Sequence, residues 1–249
     1  MWITMDVEEV TDMNFHVLWK NKPKIDYEKY IDYFIEYTKG KNATAFVLGS
    51  FAQKYPELVK KLSNHVEIAS HGFYHKLIYK EKFEEWEKEI NDAKKFLEDL
   101  ISKEVVGYRS PSWTLPFDKK YYEALAKAGY KFSSSYFPIK TYMYGNSINK
   151  TEPFKIYTDS GIIEERPIPK HIIPFSGGFY LRVLPLWLLK ILFKKTKNSV
   201  LYIHPYELID KNLIKFFWDN ADKNLDYFLA FYHFGMAKDK LKKIIDEVY

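Results

Sequence analysis

Trp2-Ile3-Thr4-Met5-Asp6-Val7-Glu8 opens the chain, and its reading decides the fold. Trp2 to Val7 reads as a short buried strand with two carboxylates at its end. On an extended chain, side chains two residues apart point to the same face, so Asp6 and Glu8 share a side. Working outward, Asp26 reads as an N-cap opening an amphipathic helix through Tyr30, Phe34 and Tyr37. A second buried strand is expected over 43–48, a helix around Leu58 to Leu62, and a third strand over 66–69. The charged segment 80–103 places Phe83, Trp86, Ile90, Ala93, Phe96 and Leu97 at helical spacing with one buried face. A strand over 105–108, a helix over 119–128 and a strand over 130–134 continue the pattern.

Beyond that, residues 137–180 carry Pro, Gly and Asn punctuation, with a strand expected over 162–168. A helix starting near Pro185, a strand over 200–204, a strand near Leu229 and a terminal helix over 238–248 complete the chain. Repeated β-α alternation implies an α/β fold of parallel strands with helices outside. In such folds the chemistry collects at the carboxyl ends of the strands.

With 249 residues, 47% hydrophobic and 29% charged, the chain can bury a full core, which excludes disorder and disulfide-stapled miniproteins. No linker, repeat or low-complexity tract interrupts it, so residues 1–249 are expected to form one domain. Lys plus Arg number 38 against 33 Asp plus Glu, and the net charge of +5 is spread along the chain. That is no nucleic-acid footprint. The absence of cysteine rules out disulfides, Cys-ligated zinc and Cys nucleophiles, so any metal must sit on His, Asp or Glu. The aromatic content of 18% suits a large core better than a sugar cleft on composition alone. Neither a Gly-rich phosphate loop nor a Gly-x-Ser-x-Gly elbow is present.

The first residues show no signal-peptide pattern, and the apolar run from Val183 to Leu189 is broken by Lys190 and too short to span a bilayer. A soluble, cytoplasmic protein is therefore expected. The stretch from Leu184 to Phe193, followed by Lys194, Lys195 and Lys197, reads as a buried helix with a basic end rather than as a membrane-surface element.

His71 and His75 follow the third strand, and their spacing of four would bring both imidazoles to one side of a helical turn, suiting a divalent ion. They sit at the same end of the sheet as Asp6 and Glu8. Two His and one carboxylate leave open positions for water and substrate. Arg109 closes the fourth strand and is a plausible partner for an inward carboxylate. His204 ends a later strand and is a candidate general acid. His16, His65, His171 and His233 have no such context and read as structural.

Taken in order, Asp6-Val7-Glu8, His71-Gly72-Phe73-Tyr74-His75, Arg109-Ser110-Pro111-Ser112-Trp113 and His204-Pro205 resemble the motifs of the polysaccharide deacetylase family, carbohydrate esterase family four. The branch found in exopolysaccharide gene clusters is the most similar. Its likeness includes Gly107 to Trp113, Ala128-Gly129-Tyr130 through Ser134-Ser135-Tyr136-Phe137-Pro138, Ser176-Gly177-Gly178-Phe179-Tyr180-Leu181-Arg182 and His204-Pro205-Tyr206-Glu207. The resemblance implies a distorted (β/α) barrel of about seven parallel strands. It also implies a divalent metal, commonly zinc, and hydrolysis of an N-acetyl group, a non-peptide C–N bond, on a sugar or polysaccharide; a lipid-linked glycan would follow only if the stretch from Leu184 to Phe193 rested on a membrane surface. By the same resemblance Asp6 is the general base, Arg109 its partner, and His204 the acid. Glu8, His71 and His75 hold the metal. Ser112, Trp113 and Tyr136 would contact substrate, with the backbone N–H near Ser112 serving the oxyanion and Trp113 walling the acetyl pocket.

Two positions depart from the family pattern. Val7 stands where the second of two adjacent Asp residues is usual, so metal binding falls to Glu8, with Glu9 in reserve. Ser133 stands where an Asp often orients the acid histidine, so that charge must come from Glu207 or Asp210. Hydrolysis of a different C–N bond and a catalytically weakened glycan-binding protein are the alternative readings.

Overall fold

A computed structural model describes residues 1–141, 145–146 and 149–249. Its first unit follows the order expected. Strand β1 (Trp2–Val7) is buried throughout, and helix α1 (Tyr27–Thr38) starts where the Asp26 side chain accepts a hydrogen bond from the Lys29 amide. Strand β2 (Ala43–Val47), helices α2 (Gly49–Lys54) and α3 (Pro56–Ser63) and strand β3 (Glu67–Ser70) come next. Helix α4 (Phe83–Ile101) buries Trp86, Ile90, Ala93, Leu97 and Ile101 along one face. Strand β4 (Gly107–Tyr108), helix α5 (Lys119–Lys127) and strand β5 (Phe132–Ser133) complete the more regular half.

The second half contains strands β6 (Phe154–Tyr157) and β7 (Ile162–Glu165), helices α6 (Gly178–Val183) and α7 (Leu186–Lys195), and strand β8 (Val200–Ile203). It closes with helices α8 (Lys211–Asn220), α9 (Leu225–Phe231) and α10 (Ala237–Val248). The expected strand near Leu229 is instead α9, capped by the Asn224 side chain on the Tyr227 amide. A short apolar run such as 228–231 carries no period that separates strand from helix.

The sheet order is β6-β7-β5-β4-β3-β2-β1-β8. Every neighbouring pair is parallel except β6 with β7, so seven parallel strands carry one antiparallel edge. Among the described residues the two ends do not pair, and the sheet is a curled, open half-barrel rather than a closed one. The curl is visible in the side chains. Trp2 on β1 meets Phe132 on β5 edge-on with ring centroids 5.8 Å apart. In a flat sheet, four strand spacings would separate them by about 19 Å.

Alternation along the strands sorts residues between two cores. Ile3, Met5, Val7, Ala45, Val47, Leu201 and Ile203 face the helices, whereas Trp2, Phe46, Phe132, Val200 and Tyr202 fill the inside of the curl. By the same period of two, Thr4, Asp6 and Glu8 belong to the inner face of β1, and His204 to that of β8. An aromatic plug thus fills the inside below the strand ends.

Helix α7 buries Leu189 and Phe193 while Trp187 and Ile191 stay exposed, and Lys190 is tied to Glu247 on α10. Among the described residues no helix is long and apolar enough to cross a membrane.

Residues 176–178 lie against β8. The Ser176 hydroxyl donates to the Val200 carbonyl, and Gly177 packs on Tyr202 with φ +50°. A Cβ on Gly177 would fall 2.1 Å from the Tyr202 carbonyl oxygen, in a conformation that L side chains rarely adopt. Gly177→Ala is expected to destabilise the fold by about 2 kcal/mol or more, read from the urea midpoint. An unchanged midpoint would show that this segment yields without cost.

Candidate active site

At the carboxyl ends of the strands, a cavity of about 130 Å³ opens above the aromatic plug. Its lining includes Asp6, Glu8, His71, His75, Ser112, Trp113 and His204, seven of the nine candidate site residues, brought together from distant parts of the chain. Arg109 sits immediately behind it.

Arg109 is fully buried. Its Nη1 donates to Asp6 Oδ1 at 2.6 Å and to Thr4 Oγ1 at 3.0 Å. Nε donates to the Ser134 carbonyl at 3.2 Å and Nη2 to Ser134 Oγ at 3.0 Å. The guanidinium carbon rests 4.0 Å from the centre of the Phe46 ring, so the cation lies on the plug's aromatic face. Burying two ions costs several kcal/mol each, offset only when both are paired and hydrogen-bonded, as here.

Glu8, His71 and His75 present ligand atoms that all lie within 4.8 Å of one another. Glu8 Oε2 is 2.8 Å from His75 Nε2 and 3.7 Å from His71 Nε2. This oxygen is buried yet accepts no well-aligned hydrogen bond. Buried polar atoms are normally satisfied, so one left between two imidazoles marks a place for a cation. His71 Nδ1 lies 2.8 Å from the Arg109 carbonyl. A carbonyl only accepts, so Nδ1 carries the proton and Nε2 offers its lone pair. The donor set, two imidazoles and a carboxylate, suits zinc or a similar divalent ion. These residues fit the group that the motifs imply. Burial would raise the Glu8 carboxyl, but His75, His71 and His204 hold it well below the usual range.

The two histidines do not share a helical turn. Residues 71–75 are irregular, with Gly72 at φ +81°, and the imidazoles converge because the chain reverses there. Glu9 takes no part: its carboxylate accepts from Lys54 Nζ at 2.8 Å and from the Tyr55 hydroxyl at 2.9 Å.

His204 stands across the cavity, its Nε2 3.8 Å from Glu8 Oε1. Glu207 Oε2 lies 3.2 Å from His204 Nδ1 and accepts from the His204 amide at 3.0 Å. Burial would lower the imidazole, but Glu207, Glu8 and Asp6 raise it to about 9. The carboxylate missing at position 133 is therefore supplied three residues after the histidine. Asp210 does not serve: it caps α8 through the Leu213 amide and pairs with Lys29. Ser133 is turned away, donating to Ser135 Oγ at 2.9 Å.

Ser112 and Trp113 both have φ +49°, a left-handed conformation that costs non-glycine residues about 1–2 kcal/mol each. Ser112 Oγ accepts from the Asn14 side chain, which also lies 3.0 Å from His75 Nδ1. Trp113 walls the cavity and packs on Tyr202 with ring centroids 4.6 Å apart. Tyr136 is not brought to the cavity. It is wholly buried, with its ring between Phe117 and Phe154 and its amide donating to Glu165.

Sequence reasoning left three neighbours without a role. Asn14 sits in an irregular loop and gave no signal. Tyr206 lies inside the quoted His204-Pro205-Tyr206-Glu207 motif, and Arg182 inside another. Arg182 is buried, its Nε 3.9 Å from Glu207 Oε1, and it donates to the carbonyls of Leu229 and Ala230.

Residues 21–133 match the family model described as polysaccharide deacetylase, and residues 134–249 match one described as a domain of unknown function. Over residues 21–133 the chain is thus similar to the polysaccharide deacetylases, a class of hydrolases acting on non-peptide C–N bonds. Among solved structures, one described as a polysaccharide deacetylase from Mycobacterium smegmatis is similar at 18% identity and TM-score 0.58. That match covers 89% of this chain and 70% of that one. A family 4 carbohydrate esterase from Streptomyces lividans matches at 11% identity and TM-score 0.52, over 99% of this chain and 87% of that one. A 4-alpha-glucanotransferase from Thermococcus litoralis matches at 13% identity and TM-score 0.56, over 99% of this chain and 37% of that one. At these identities the likeness is one of fold. No curated protein matches the chain by sequence.

Arg109→Met would leave Asp6 buried without its cation and is expected to cost about 3–5 kcal/mol in denaturant unfolding. Adding Asp6→Asn should recover part of that loss. Equal stability of the single and double variants would mean that the pair is not coupled.

Proposed function

We propose that this chain is a metal-dependent hydrolase that removes N-acetyl groups from an N-acetylated sugar or polysaccharide. The observation that carries this reading is the convergence, in one cavity, of a paired carboxylate, a two-histidine and one-carboxylate cradle, and an imidazole held by Glu207 opposite them.

A divalent ion held by Glu8, His71 and His75 would polarise the acetyl carbonyl and lower the pKa of a bound water. Asp6, held by Arg109, takes the proton from the water that attacks the carbonyl carbon. The backbone N–H near Ser112 donates to the carbonyl oxygen as it gains negative charge. Trp113 forms the wall against which the methyl group rests. As the C–N bond breaks, His204 gives its proton to the departing nitrogen, releasing acetate and a free amine. Glu207 keeps that imidazole charged and fixes its orientation. The weakened-binder reading rested on Val7 and Ser133; the cradle of Glu8, His71 and His75 and the Glu207 contact with His204 favour the hydrolase over it.

Acetate release from N-acetylated hexosamine oligomers, measured with added Zn2+, tests the proposal. The protein is expected to turn over. Asp6→Asn and His204→Ala are each expected to lower kcat by about 10²–10⁴-fold, the usual contribution of a general base or acid. No acetate from the native protein, or full activity in Asp6→Asn, would overturn the assignment.

A further inference from the structure

Glu8 is one methylene longer than the aspartate usual in the family, and so has one more bond to immobilise before its carboxylate can serve as a ligand. The structure shows what immobilises it. The Tyr206 hydroxyl donates to Glu8 Oε1 at 2.5 Å, with both side chains buried and 198 residues apart in sequence. That leaves Oε2 turned toward the two histidine Nε2 atoms, at 2.8 and 3.7 Å. The Tyr206 ring is itself fixed, stacked on the His204 imidazole with centroids 4.8 Å apart and planes 10° from parallel.

We infer that Tyr206 is a positioning residue for the metal: it locks the Glu8 carboxylate so that one oxygen faces His71 and His75. This rests on the metal-dependent reading above. It also assigns a task to the segment that matches a domain of unknown function. His71 and His75 lie in the deacetylase-matched segment and Glu8 precedes it, whereas Tyr206 comes from residues 134–249. The C-terminal half therefore sets the geometry of a cradle to which it contributes no ligand. The physical logic is that of partners around a metal ligand generally: a hydrogen bond to the ligating carboxylate removes freedom that binding would otherwise have to freeze.

Zn2+ affinity, measured on the full chain by competition with a chromogenic chelator, tests this without any glycan. Tyr206→Phe keeps the ring and its stacking, and is expected to weaken Zn2+ binding about 10–100-fold. The thermal midpoint of the metal-free protein should stay close to native. Glu8→Asp shortens the carboxylate away from the hydroxyl, so in that background Tyr206→Phe should change Zn2+ affinity little. Unchanged affinity in Tyr206→Phe, or equal losses in both backgrounds, would overturn the inference while leaving the hydrolase reading intact. A native protein that binds no Zn2+ would overturn both.

Discussion

A carboxylate and a guanidinium sharing a hydrogen bond inside the curl of the sheet, Asp6 with Arg109, constrain much of what surrounds them. Neither ion can be desolvated there unless its remaining valences are filled. Filling them requires β1 to deliver Thr4, and the chain after β5 to deliver both polar atoms of Ser134. That turn is held by Glu165 on β7, which accepts from the Ser135 and Tyr136 amides. Phe46 closes the cation from below. Replacing a buried ion pair by well-packed apolar side chains is often neutral or stabilising. The pair is thus better explained by the chemistry at the strand ends than by stability.

From that constraint the site divides naturally. The first four parallel strands bring Asp6, Arg109, Glu8, His71 and His75 to one end of the half-barrel. The second half returns to the opposite edge through β8 and brings His204, its partner Glu207, and Tyr206, whose hydroxyl donates to Glu8. Residues 134–249 are less regular than the first half, but they are not an appendage. One sheet runs through both segments, and the cavity has walls from each.

How much of this was legible in the sequence follows from burial and period. Strands covered on both faces, such as β1, β2 and β8, read as mainly apolar runs and stand within a residue of where they were expected. Strands β4 and β5 are shorter than expected, two residues each, although flanking amides such as Lys131 and Ser134 still donate to the neighbouring strand. Antiparallel β6 escaped because only alternate residues are even partly covered. His71 and His75 were the right residues in the wrong local geometry: spacing of four suggested a helix, and Gly72 makes a turn. Tyr136 was carried by motif likeness alone, which says nothing about which way a ring points. Tyr206 and Arg182 act through contacts 198 and 25 residues away, which no local pattern encodes.

If Glu8, His71 and His75 hold a catalytic divalent ion, elemental analysis of the reconstituted protein will find it. One equivalent of zinc or another divalent ion in the native protein, lost in both His71→Ala and His75→Ala, is the predicted result. No bound metal after reconstitution, or one equivalent retained in both variants, would contradict the account.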